Sequence, residues 1–292
     1  MTPTYRGGTQ RLLLPWLIGT LVLVAGPMLV TAVFAFTRYD ALSPPRFVGL
    51  EVFRDLWAYQ ELRTSLVTTA VIVAIAVPLR VGGGLALALL LHRRGALTAG
   101  GRVAAYAPSV LPDVATALVW LWVVNPIYGP IGLVAAAFGG GLGPVLLDPT
   151  GARLTIVAIS AFALGEGFLV TLAARRELPE ALYDVARTEG ANGLALFRRV
   201  TLPMLTPVLG LLTARDLVVS LQVVLVPTLL LTAGGPLGAT KTLPLLAYER
   251  GFRELRLGDA AAIALVLMLL TLVVVLVQAR LLRRWNRGRA TA

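Results

Sequence analysis

The chain has 292 residues, of which 57% are hydrophobic and 14% charged, with a formal net charge of +11. A water-facing domain carries about 25% charged and roughly 45–50% apolar residues, so the composition excludes a soluble globule, a disordered chain and a fibrous repeat. The apolar residues come in blocks, which leaves an integral membrane protein. With no cysteine, disulfides, thiolate metal sites and thiol nucleophiles are excluded. The single histidine, His92, leaves little scope for imidazole chemistry.

A spanning helix needs about 20 apolar residues to cross about 30 Å of hydrocarbon. Read from charge to charge, the sequence predicts an all-α polytopic protein, a single domain over 1–292 with six spans. They fall at about 12–37, 64–91, 103–124, 154–174, 204–231 and 260–280. The first apolar run is longer than the core of a secretion signal and is read as a retained span. Four spans carry charge: Arg80 in the second, Asp113 in the third, Glu166 in the fourth, and the adjacent Arg215 and Asp216 in the fifth.

Orientation follows from the basic residues of the loops. With the N-terminus inside, 15 Lys or Arg fall on the cytoplasmic side and 9 outside. Both termini are therefore expected inside, and the positive charge suits anionic lipid. No soluble basic domain exists to hold nucleic acid.

A bundle of spans needs only short inner turns, yet residues 175–203 form a long polar insertion between the fourth and fifth spans. Pro179 suits the first turn of a helix. Glu180 and Asp184 then lie one turn apart, and Gly190 ends the helix as a residue able to take positive φ. A second short helix, about 194–200, is expected to end before Leu202-Pro203. By spacing alone the insertion is either a docking surface for another protein or an interfacial brace.

Here the residues take on a likeness. Glu180-Ala-Leu-Tyr-Asp-Val-Ala-Arg-Thr-Glu-Gly-Ala191, followed by Val200-Thr-Leu-Pro203, resembles the "EAA" loop of permease subunits in binding-protein-dependent ABC importers. Asp184 stands where that family usually has Glu, Val185 and Ala186 where it has two alanines, and Glu189 where it has Asp. Three further blocks resemble its carbohydrate branch, the maltose- and glycerol-phosphate-type permeases. They are Phe47-Val-Gly-Leu50 with Phe53; Pro108, Pro112, Trp120, Asn125-Pro126, Tyr128 and Gly129; and Thr232-Ala-Gly-Gly-Pro236 with Thr242, Tyr248, Phe252, Gly258 and Ala260-Ala261.

The resemblance implies a type I importer permease fold in a bacterial or archaeal cytoplasmic membrane. It implies a second, non-identical permease, two ATP-binding-cassette ATPase subunits or domains, and an external solute-binding protein. The ATPase-coupling surface would be Glu180, Ala181, Tyr183, Asp184, Ala186, Glu189, Gly190, Ala191, Leu202 and Pro203. The spans beside this loop would line the substrate cavity, which makes Glu166, Arg215, Asp216 and Gln222 its candidates. By their chemistry alone, Glu166 with Arg215, or Asp216 with Arg80, could equally be structural ion pairs.

The chain itself carries no Gly-Lys-Ser/Thr phosphate loop and no catalytic or metal constellation. No cofactor is expected on it, ATP and Mg²⁺ belonging to the partner ATPase. The likeness implies a sugar or oligosaccharide as ligand. The alternatives are glycerol-3-phosphate or a glycerophosphodiester, held by Arg215, and, from another class, an ion-coupled carrier using Glu166 and Asp216.

Two features remain open at this level. Pro78, Arg80 and Gly82-Gly83-Gly84 suit either a hinge or close packing through small residues. Trp120 and Trp122 suit an interfacial belt.

Overall fold

The computed structural model describes residues 6–93, 95–138 and 144–290, with side chains within 12–281 except Val223. Gly139–Gly141, which the sequence reads as a flexible outer loop, together with Arg94 and the side chains of the basic tail beyond Leu281, lie outside the described residues.

In chain order, α1 (Arg6–Thr20), a π-turn (Leu21–Ala25) and α2 (Gly26–Phe34) make the first long helix. It stops three residues before the expected end, because Thr37 already belongs to a strand. β1 (Thr37–Arg38) pairs antiparallel with β2 (Arg46–Phe47). Then follow α3 (Glu51–Ala58) and the 31-residue α4 (Gln60–Leu90), which contains Pro78 without breaking.

The third and fourth spans are not straight. α5 (Ala96–Tyr106) runs through a 3₁₀ turn to Val110, and α6 (Asp113–Val123) leaves it at 104°. Pro112 has no N–H and favours extended backbone before it, and Leu111 adopts ψ 135°. Asp113 is thus the first residue of a new helix, where the dipole favours an acid. After α7 (Pro130–Ala137), α8 (Pro149–Phe162) and α9 (Gly165–Arg176) meet at 43°. Glu166, expected mid-span, therefore sits in the first turn of α9.

α10 (Glu180–Thr188) and α11 (Gly193–Leu196) follow as the sequence predicts, with one correction. Pro203 does not separate the second short helix from the fifth span. A π-turn (Phe197–Thr201) joins α11 directly to α12 (Leu202–Val223). There the Leu202 amide reaches back five residues to the Phe197 carbonyl, and Pro203 follows in the first turn of α12, where its missing N–H is tolerated. With α13 (Leu225–Pro227) and a further π-turn, helix continues from Gly193 to Thr232. α14 (Leu243–Tyr248), a π-turn (Glu249–Arg253) and α15 (Leu257–Ala290) complete the chain.

Among the described residues, four helices are long and apolar enough to span a membrane, and each bent pair taken as one span gives up to six. Most large apolar side chains of the first helix are exposed, as lipid-facing groups are.

The described residues form two compact units. One runs from the N-terminal segment to Arg63 and includes Leu246–Leu269. In it the amide of Gly258 donates to the Tyr39 carbonyl at 3.1 Å, and a Cβ at Gly258 would strike the carbonyl of Thr37. The Asp40 carboxylate accepts from the Ser43 amide and hydroxyl and the Leu42 amide, which hold it below its ordinary pKa. Buried Arg250 bonds Glu61 at 2.7 Å and Glu254 at 2.6 Å. Burial works against its charge, but Glu254, Glu61 and Asp259 more than compensate, so its pKa lies above the ordinary value.

The other unit is Thr64–Leu245 with the segment from Leu270 on. Ile72, Ala76, Ala117, Ile156 and Leu231 belong to its main apolar core. Trp120 packs against that core and meets Phe162 edge-on at 5.6 Å, so it is an internal residue, while Trp122 is exposed as a belt residue would be. Gly84 settles how the glycine run is used. A Cβ there would lie 3.1 Å from the Phe168 backbone nitrogen, so α4 and α9 touch backbone to backbone.

Candidate functional site

Two sites stand in the second unit, and one helix joins them. The first is a cavity of about 260 Å³ walled by α4, α6, α8, α9 and α12. Breaks at Pro112 and at Ala163 create it, because each bent span turns a polar first turn inward. The lining includes Arg80, Asp113, Glu166, Arg215 and Asp216, together with Ser109, Thr116, Ser160 and Ser220.

Three of the four expected cavity residues come together there. Arg215 pairs with Glu166. Asp216, the next residue, faces Arg80 on α4, with Nε to Oδ2 and Nη1 to Oδ1 both 3.4 Å, and Arg80 also donates to Ser220 at 3.1 Å. Successive residues on a helix point about 100° apart, so α12 reaches α9 with one and α4 with the other. Both pairings left open by the sequence are therefore formed at once.

The two pairs differ in setting. The Glu166 and Arg215 side chains are 59% and 49% exposed, whereas those of Asp216 and Arg80 are 9% and 15% exposed. Gln222 is not brought to this cavity; it stands exposed further along α12.

Sequence reasoning passed over the hydroxyl lining and had no account of Asp113. The signal was available: a charge directly after a proline inside an apolar run marks a helix start. Ser109 also fixes the α8–α9 break, its hydroxyl accepting the Gly165 amide at 2.8 Å.

The second site is the elbow at residues 177–203. Pro179 caps α10 from outside the helix, with Glu180 in its first turn. Gly190 takes φ +79°, its amide bonds Arg187 O at 2.9 Å and that of Ala191 bonds Ala186 O at 2.9 Å. These two bonds are a Schellman stop. Of the expected coupling residues, Glu180, Ala181, Asp184, Glu189 and Gly190 are exposed, and Ala186, Ala191, Leu202 and Pro203 half-buried.

Tyr183 is different: it is buried, its hydroxyl 2.9 Å from Thr201 Oγ1 and its ring under the Arg175 guanidinium at 4.4 Å. It ties α10 to the neighbouring helices and leaves the acidic and small residues facing out. Thr201 lies 15 residues before Asp216 on continuous helix, about 22 Å at 1.5 Å per residue. The elbow and the cavity charges are thus two ends of one rod.

The broken spans, polar cavity and exposed elbow define a multi-pass membrane permease. Residues 80–287 match the family of binding-protein-dependent transport system inner membrane components, and the chain belongs to that family. It is 30% identical over 271 residues to the probable ABC transporter permease protein YesP of Bacillus subtilis (strain 168), covering 90% of this chain and 86% of that one. It is 27% identical to the sn-glycerol-3-phosphate transport system permease protein UgpA of Agrobacterium fabrum, over 94% of this chain and 98% of the relative. To the trehalose/maltose transport system permease protein MalF of Thermococcus litoralis it is 28% identical, over 94% and 93%. A crystal structure of a bacterial alginate ABC transporter, in complex with an alginate pentasaccharide-bound periplasmic protein, contains a chain of the same fold. Its TM-score is 0.82 at 21% identity, with 94% of each chain covered.

Proposed function

We propose that this chain is one of two non-identical membrane subunits of an ATP-driven importer for a sugar or oligosaccharide. An external binding protein delivers the ligand and a partner ATPase pair hydrolyses Mg·ATP. Both termini and the elbow lie in the cytoplasm, where the loop arginines concentrate. In this reading the chain performs no chemistry of its own. Closure of the ATPase pair pushes the exposed face of α10, Tyr183 passes the push to Thr201, and α12 carries it to Arg215 and Asp216. Ligand binding with equal affinity to both states would drive nothing, so the bias comes from ATP. Gln222, exposed on α12, is available to the second permease.

The observation that carries the ligand assignment is the pairing of both cavity arginines with carboxylates of the same chain. A site for glycerol-3-phosphate would need a guanidinium free to form a fork with phosphate, and relatives named for that ligand supply the one argument for it. The pairing is equally unlike an ion-coupled carrier, since both acids already hold a guanidinium of the same chain.

Reconstitution of the full set in proteoliposomes tests the reading. Uphill uptake of a neutral sugar should require ATP and the binding protein, and Gly190→Pro should leave membrane insertion intact while abolishing co-purification with the ATPase. Uphill uptake driven by a proton gradient without ATP would overturn it.

A further inference from the structure

The cavity contains one charge that its ion pairs do not neutralise. Arg80 and Arg215 are balanced by Asp216 and Glu166, whereas Asp113, on the same wall, makes no ion pair among the described residues. Its side chain is exposed, because the break at Leu111–Pro112 turns the first turn of α6 inward and away from the core. One turn along α6 stands Thr116, and Ser160 lines the cavity from α8. Neither hydroxyl is used in a hydrogen bond within the described part of the chain, unlike those of Ser109 and Ser220, which hold the Gly165 amide and Arg80. The cavity therefore offers a net charge of minus one, a free carboxylate and two free hydroxyls. An anion entering it meets no available cation.

We propose that Asp113 is a specificity-determining residue: with Thr116 and Ser160 it receives hydroxyl or ammonium groups of a neutral or amino sugar and excludes uronates and phosphorylated polyols. The assignment rests on the importer reading above and deepens it. A carboxylate accepts hydrogen bonds and donates none. It therefore bonds sugar hydroxyls through their protons, attracts an ammonium, and repels a second carboxylate or a phosphate at short range, in a cavity that water and salt can reach.

The test uses the complex of both permeases and the ATPase pair in nanodiscs without binding protein, so that only the cavity selects. Equilibrium binding is measured for maltose, the deacetylated disaccharide of glucosamine, digalacturonate and glycerol-3-phosphate. The wild-type complex should bind the first two at least about tenfold more tightly than the last two. Asp113→Asn should remove most of that margin, and Asp113→Glu should keep it. Acidic probes bound by the wild type as well as maltose, no probe bound at all, or an unchanged ranking in Asp113→Asn would each overturn the proposal. If Asp113→Asn does not assemble, the wild type decides through salt: the margin must shrink between about 50 mM and about 500 mM, as screening requires, and a constant margin refutes it. ATP-dependent uptake of a neutral sugar by the intact system separates the two readings, since it stands or falls independently of the charge ranking.

Discussion

Asp216→Asn is the substitution for which the structure yields the firmest magnitude. The side chain is 9% exposed and its partner Arg80 is 15% exposed, so amidation leaves a guanidinium largely out of water without its counter-charge. Removing one member of a buried pair costs about 3–5 kcal/mol. The contacts here are 3.4 Å, longer than the roughly 2.8 Å of a tight charge-assisted bond, which places the cost near the lower bound, about 3 kcal/mol. That is roughly a hundredfold in the folding equilibrium. Glu166→Gln breaks a pair whose side chains are half exposed, for which the expected loss is under about 1 kcal/mol. Adding Arg80→Gln to Asp216→Asn removes the orphaned charge, so the double variant should be more stable than Asp216→Asn alone by about 1–2 kcal/mol. Unfolding of the purified complex in mixed micelles, followed by helical circular dichroism, gives the values for Asp216→Asn, Glu166→Gln, Arg80→Gln and the double variant against the wild type. If Glu166→Gln proves as damaging as Asp216→Asn, or the two losses at Arg80 and Asp216 simply add, burial does not distinguish the pairs and the reasoning fails.

Three other substitutions probe the frame and the elbow. Gly84→Ala should destabilise the complex by about 1–3 kcal/mol, because its Cβ meets backbone of α9, whereas Gly82→Ala, with nothing within 4 Å, should be neutral or mildly stabilising; thermal melts of the two check the close packing at Gly84. At Gly190, φ +79° with open space around it means that Ala should cost only the left-handed strain of about 1–2 kcal/mol and Asn less. Pro should do far worse, since its ring forbids that φ and it loses the amide bonded to Arg187; pull-down of the ATPase reads the series. Tyr183→Phe deletes only the hydroxyl contact to Thr201. Its expected signature is an assembled complex whose basal ATPase survives while stimulation by loaded binding protein falls several-fold, and unchanged stimulation would remove Tyr183 from the force path.

The sequence locates the long apolar helices well and their breaks poorly. Apolar length suffices for 64–91, observed as α4 with an end only one residue away. The third and fourth spans look continuous in hydropathy because a bend changes the direction of a helix and not its composition. What marks the bends is local: Pro112 followed by Asp113, and Gly165 followed by Glu166, each an acid in the first turn of a new helix. At Pro203 the same logic misleads, since a π-turn lets the helix pass a proline that reads as a stop. The elbow is legible because capping chemistry is local. Gly190 ends α10 for the reason its residue type suggests, while the buried tyrosine beneath it depends on Thr201, 18 residues away, which no local pattern reveals.

The misread proline carries the mechanical consequence. Had α11 ended before Leu202, a push on α10 would reach a loop and dissipate there. Continuous helix from Gly193 to Thr232 instead joins the elbow to the cavity charges, about 22 Å along the helix from Thr201 to Asp216. In the proposed importer, movement of that helix would shift Arg215 against α9 and Asp216 against α4 together. The two ion pairs would then break and re-form as one event. The half-exposed pair exchanges readily with water. The buried pair cannot lose its partner cheaply, so in the proposed cycle it would be the costlier of the two contacts to open.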